Sequence, residues 1–294
     1  MNVGEKIRSL RREKLMTQSE LAGTQITRNM LSCIENGTAM PSLSTVVYLA
    51  GRLGVPVGYL MAEESENFFY RKMNAMENIK KAFSEQDWAG CRGLCLSVSG
   101  QRDDELTMLL ALSDLGIAEA IFRQGKLHEA CRYFDEALDY AGKTVYPLPQ
   151  IEATAAVYFR CMQRISPTLY SENLDDSAPR EVKLNTPFEA YINALEALDE
   201  GDLSAVERFF GEHGQSVFFA PHLRARYHLE NGNAMEARSI LHALLNAEDA
   251  LLNEVELYAV LTDLEIACRE TDDYKGAYRY ANERIQLHEQ LLKN

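Results

Sequence analysis

The chain has 294 residues, 46% hydrophobic and 25% charged, with 30 Lys and Arg against 44 Asp and Glu for a formal net charge of −14. This is ordinary globular composition, long enough for a small domain and a second body, and it excludes a general polycationic nucleic-acid coat. The charge is unevenly placed: residues 1–62 hold seven basic residues against four Glu, a net +3, which leaves −17 for the rest.

No apolar run approaches the length of a membrane span, and the opening MNVGEKIRSL lacks the apolar segment of an export signal. A cytoplasmic protein with reduced thiols is therefore expected, and no membrane partner. Cys91 and Cys95 stand four apart on one helix face and read as small buried residues. No C-x-x-C pair points to zinc, and no metal or other cofactor is expected. There is no phosphate-cradling Gly-rich loop, no G-x-S-x-G elbow and no H-E-x-x-H, and the six His fall without ligand spacing. The chain is not expected to be an enzyme, and no catalytic residue is nominated.

The first predicted element covers about residues 2–14. Ile7 and Leu10 point inward, and Lys6, Arg8, Arg11, Arg12 and Lys14 surround them, placed to meet phosphates. Thr17-Gln-Ser-Glu20 is a capping box, which starts a short helix through Leu21 and Ala22 that Gly23 and Thr24 break. Thr27 caps a second helix that buries Leu31 and Ile34, and Asn36-Gly37 closes it. Its outward face carries Arg28, Asn29, Ser32 and Cys33, short polar side chains and one Arg suited to reading base edges. With Gln18 and Thr27 these are the candidate DNA contacts. Ser42 then caps a helix of about residues 43–53, with Leu43, Val46, Val47, Ala50 and Leu53 as its apolar face and Gly54 as its stop. Pro56 opens a last short helix. The acidic run Glu63–Glu66 is read as the boundary, giving domains 1–64 and 65–294.

LMTQSELA…ITRNMLSCIENGTAMPSLSTVVYLAGRLGVPVGYLM resembles the XRE-type, phage-repressor-like helix-turn-helix domain over about residues 3–62. Two departures stand out. The turn Gly23–Ile26 is about one residue short, and position 33, often basic or an amide in that family, is Cys.

Beyond residue 66 the pattern is long helices with almost no strand signal. In Ala118-x-Ala120-Ile121-x-x-x-Gly125-x-Leu127-x-x-Ala130-x-x-x-Phe134-x-x-Ala137 small residues sit where two helices would cross, and a Gly sits at the turn between them. This resembles a tetratricopeptide repeat. Weaker copies follow Gln86-Asp87-Trp88, Gly201-Asp202-Leu203, Gly232 and Asp272-Asp273-Tyr274, with anchors at Cys91, Ala130, Val206, Ala237 and Ala277. The one double gap, from 130 to 206, places a degenerate, proline-rich repeat near 150–185, six in all. The expected fold is all-α: a five-helix reader, then an α-solenoid of helix pairs.

In such a solenoid the first helices make the concave wall. The repeat frame nominates Arg123, Arg160, Tyr191, His222, Arg226 and Arg269 as peptide-binding residues, with Phe122, Gln163 and Phe219 beside them. A repressor-like reader followed by such repeats resembles the Rgg/PlcR-like (RRNPP) regulators of Gram-positive bacteria. The resemblance implies a homodimeric transcription regulator on a double-stranded DNA operator, controlled in quorum sensing by a short intracellular peptide held in the repeats. The alternative is a regulator whose repeats serve only dimerisation or protein–protein contact.

Overall fold

The structure, a computed structural model, describes residues 2–62, 67–98, 103–171, 173–174, 186–247 and 252–293; the run expected as the boundary lies outside them. Among the described residues there are sixteen α-helices and no strand, and no helix is long and apolar enough to cross a membrane. The chain groups into two compact units, Met1–Lys81 with Gly93–Arg102 and Ala82–Arg92 with Asp103–Asn294.

The first unit opens with α1 (Val3–Glu13), α2 (Gln18–Ala22), α3 (Arg28–Glu35), α4 (Leu43–Leu53) and α5 (Val57–Met61). Their starts follow the expected caps. The Thr17 hydroxyl accepts from the Glu20 N–H at 3.1 Å while Glu20 accepts from the Thr17 N–H at 2.6 Å, and Thr27 and Ser42 cap α3 and α4 by accepting from Met30 and Thr45. Ile7, Leu21, Leu31, Ile34, Leu49, Leu53 and Leu60 form the buried core between these helices. α1 can lie on the end of α3 because residue 4 is Gly: a Cβ there would stand 1.9 Å from the Ile34 carbonyl oxygen.

One expected face is corrected. Leu43 and Val47 of α4 are 66% and 51% exposed, and the buried stripe is Val46, Leu49, Ala50 and Leu53. That set keeps the three-and-four spacing of one helix face; Val47 lies about 100° round from Val46, and Leu43 begins the first turn, beyond the core.

The second unit contains α8 (Asp104–Arg123), α9 (Leu127–Lys143), α10 (Pro149–Gln163), α11 (Pro187–Asp199), α12 (Ser204–His213), α13 (Phe219–Glu230), α14 (Ala234–Leu245), α15 (Glu254–Glu270) and α16 (Tyr274–Lys293), while α6 (Asn67–Ser84) and α7 (Trp88–Ser97) straddle the division. The helices pair as the repeat frame requires: α8 with α9, α11 with α12, α13 with α14, α15 with α16. Every anchor is buried: Cys91, Ala130 and Ala237 at 0% exposure, Val206 at 1% and Ala277 at 6%. Each turn before an anchor holds one residue in the left-handed region, namely Gln86, Gly125, Gly201, Gly232 and Asp272, with φ between 56° and 80°. The degenerate repeat contains α10, followed by the non-helical residues 164–171, with Pro149 and Pro187 each starting a helix; Pro179 lies outside the described residues. α16 touches α9, and a His288 ring nitrogen stands 3.2 Å from the Ile165 carbonyl oxygen, so the superhelix turns tightly.

Candidate nucleic-acid interface and ligand cavity

α3 is held as an exposed helix by a polar cluster beneath it. The Glu35 carboxylate, 3% exposed, accepts from Arg11 Nε at 2.6 Å, Arg11 Nη2 at 3.0 Å and Gln18 Nε2 at 2.9 Å. Arg11 also donates to the Met16 carbonyl at 2.8 Å, so one carboxylate ties α1, α2 and α3 together. Burial alone would raise the Glu35 pKa, but the Arg11 and Gln18 hydrogen bonds outweigh it and hold it below the usual carboxylate range. Along α3, Arg28, Asn29 and Cys33 are exposed and Ser32 is half-buried. Thr27 is exposed with its hydroxyl oxygen committed to the cap.

α4 seals the end of α2. The Tyr48 hydroxyl donates to the Ala22 carbonyl at 3.0 Å and Arg52 Nη2 to the Glu20 carbonyl at 2.6 Å, satisfying acceptors that a helix terminus leaves open. Lys6, expected at a phosphate, is instead 2% exposed and donates to the Tyr59 and Ala62 carbonyls, fastening α1 to the end of α5. Arg11 is likewise spent on Glu35, which leaves Arg8, Arg12 and Lys14 as the exposed members of the expected basic cluster.

The second unit encloses a cavity of about 880 Å³ lined by α8, α10, α11, α13 and α15, the first helices of the repeats. Its body is aromatic. Phe188 lies 4.8 Å from Tyr158 and 5.9 Å from Phe219, ring centre to ring centre, and Tyr191 stacks on Phe219 at 4.8 Å. At one side the wall turns polar. The Tyr191 hydroxyl and His222 Nδ1 are 2.9 Å apart, and His222 Nε2 stands 3.3 Å from Asp263 Oδ2. A bare Nε2 would set lone pair against lone pair there, so the proton sits on Nε2 and Tyr191 donates to Nδ1. Burial holds the His222 pKa below its ordinary value despite Asp263. Arg226 donates to Asp263 at 3.1 Å, Asp199 at 3.0 Å and Glu230 at 3.1 Å, and Arg164 donates to Asp199 at 2.8 Å.

Residues 4–66 match the model of a helix-turn-helix domain family. Over 66 residues the chain is 39% identical to the immunity repressor protein of Bacillus phage phi105; that match covers 22% of this chain and 46% of the phage protein, so it spans about half the relative's length.

The N-terminal domain is a helix-turn-helix domain.

Full-length likenesses are looser. Bacillus thuringiensis PlcR, solved with the peptide PapR7 and DNA, aligns over 100% of this chain and 99% of its own at 12% identity and a TM-score of 0.24. The apo competence regulator ComR of Streptococcus vestibularis aligns over 89% and 97% at 16% identity and 0.24. The SHP pheromone receptor Rgg2 of Streptococcus dysgalactiae aligns over 97% and 99% at 14% identity and 0.20. The all-helical architecture stands on this chain's own helices and turns.

In the helix-turn-helix domain, the sequence-nominated residues Thr27, Arg28, Asn29 and Cys33 are exposed and Ser32 half-buried, whereas Gln18 lends its amide to Glu35. In the repeats, Arg123, Tyr191, His222 and Arg226 meet at the cavity. Arg160 does not line it; it pairs with Glu196 and Asn193, about 100° round α10 from the lining residue Cys161. Arg269 is exposed at the end of α15, six residues or about 9 Å beyond Asp263, the last cavity residue of that helix. Glu35, Arg164 and Asp263 were missed. Sequence gives no sign of Asp263, because its partners lie on α13, 37 and more residues earlier.

Proposed function

We propose that the chain is a sequence-specific DNA-binding transcription regulator that works as a homodimer and is controlled by a short peptide held in the repeat cavity. The observation that carries the DNA half is α3: a capped helix with Arg28, Asn29 and Cys33 exposed and Ser32 half-exposed, its last residue, Glu35, tied to Arg11 and Gln18. Its first residues can reach base edges in a major groove, and the hydrogen-bonded brace fixes their direction. The cavity supports the ligand half. Its volume is in the range of natural ligand sites, and an apolar body with a few converging polar groups is what such sites offer.

The test starts by selecting bound duplexes from a random pool with the full chain. Arg28→Ala should then weaken binding to the selected operator by about 1–3 kcal/mol and relax preference at one base pair, the signature of a bidentate guanine contact. Uniform loss across all sequences assigns Arg28 to a phosphate, and an unchanged operator affinity removes α3 as the reading helix. Titration of hydrophobic peptides into the full chain tests the cavity. If none binds, repeats that serve only dimerisation become the better account.

A further inference from the structure

We propose that the polar side of the cavity is a seat for a primary ammonium group, with Asp263 as its acceptor, so that the bound peptide presents either a free amino terminus or a lysine there. This rests on the reading of the cavity as a ligand site and goes beyond it by naming the ligand's charge and where it sits.

Asp263 is 3% exposed and lines the cavity. One of its oxygens, Oδ1, takes Arg226 Nη1; the other, Oδ2, is buried and meets only the His222 Nε2–H, 3.3 Å away and outside good hydrogen-bond geometry, so one of its lone pairs is unused. A buried carboxylate oxygen with an open lone pair is a costly feature, and a donor from a ligand relieves it.

The local charge decides what kind of donor. Asp199, Glu230 and Asp263 are three carboxylates, and they share two guanidinium groups, Arg164 and Arg226. With His222 held neutral by burial the cluster is left at −1. Both Nη groups of Arg226 and Nη1 of Arg164 are turned to protein carboxylates, while Arg226 Nε is buried without a partner. A ligand carboxylate would add negative charge to a cluster already at −1, whereas an ammonium completes the alternation of sign. The ring faces of Tyr191 and Phe219 begin one residue away, since Tyr191 itself binds His222, and aromatic faces attract a cation. Arg226, nominated from sequence as a peptide-binding residue, then acts by holding Asp263 in place.

The experiment uses the full chain and three probes of one shape: phenethylamine, 2-phenylethanol and 3-phenylpropionate, compared by ligand-observed NMR titration at pH 7. Phenethylamine should bind at least about tenfold more tightly than either other probe, the ratio that one charge-assisted hydrogen bond supplies. Asp263→Asn should erase that preference while the alcohol binds as before. Equal affinity, a preference for the propionate, or no phenethylamine binding overturns the seat, and because the wild-type comparison alone decides this, a variant that fails to fold does not rescue the idea. Pools of pentapeptides of Phe, Leu, Ile and Val then locate the source. Loss of binding on N-acetylation assigns the seat to the amino terminus; rescue of acetylated peptides by one internal lysine assigns it to a side chain. If phenethylamine is preferred and no peptide pool binds, the seat stands and peptide control fails.

Discussion

Glu35 shows how a single buried carboxylate couples stability of the helix-turn-helix domain to pH. Its folded pKa is depressed below that of the unfolded chain, so the stability it contributes is fully present above the unfolded value, about 4.3, and is lost as pH falls through the folded value. Glu35→Gln should therefore lower the melting temperature at pH 7, and the difference from wild type should shrink below about pH 4, where the wild-type carboxylate is itself protonated. A constant difference across that range would mean that shape, and not charge, does the work. Arg226 carries the opposite lesson about reading function from sequence. A long polar side chain on a first helix looked like a groove residue free to bind, but it is 15% exposed and holds three carboxylates. Arg226→Ala strands Asp263 in the interior and should cost about 3 kcal/mol of stability, seen as a much lower melting temperature. A variant that melts like wild type would show that water reaches Asp263 freely.

Among the elements, what was legible is what local chemistry decides. Thr17 with Glu20, Thr27 and Ser42 each mark a helix start through side chains within three residues, and α1 to α5 follow. The turns of the repeats were legible for the same reason, including two that lack glycine. What local chemistry could not give was azimuth. Whether Val47 or Leu49 faces the core depends on where α1 and α5 lie, and whether Arg160 or Arg164 meets the cavity depends on the tilt of α10, both set by residues far along the chain. The turns also hold a correctable strain. Gln86 has φ 58° where Gly125, Gly201 and Gly232 occupy the equivalent place, while Asp272, at φ 56°, has a short side chain that tolerates that region better. Gln86→Gly should relieve a left-handed cost of about 1–2 kcal/mol against an entropy loss of about 0.5–1 kcal/mol, a small net gain that differential scanning calorimetry can resolve. A lower melting temperature would show that the Gln86 side chain contributes more than its backbone costs.

For the whole molecule, the acidic balance and the few exposed cations limit how strongly DNA binding can depend on salt. Phosphate contacts release counterions, and the logarithm of affinity falls with the logarithm of salt at a slope of about −0.9 per phosphate neutralised. The sequence offers each helix-turn-helix domain seven cations, but Lys6 is buried on carbonyls, Arg11 on Glu35, and Arg52 is turned to the Glu20 carbonyl. Arg52 is exposed but held by that bond; Arg8, Arg12, Lys14 and Arg28 are exposed without such a commitment, four in all, and residues 63–294 add net negative charge that favours no further contact. A single domain then has a slope no steeper than about −3.6, and a dimer on two half-sites no steeper than about −7. One domain offers few base contacts, so the dimer is expected, with half-site centres about one helical turn or a multiple apart in the selected operators. Titrations by fluorescence anisotropy at several salt concentrations should give a slope between those two limits. A slope near −3 with no inverted repeat in the selected sites would mean that the protein reads DNA as a monomer. One steeper than about −7 would mean that basic residues outside α1 and α3 reach the backbone, and that the +3 face is not the whole of the interface.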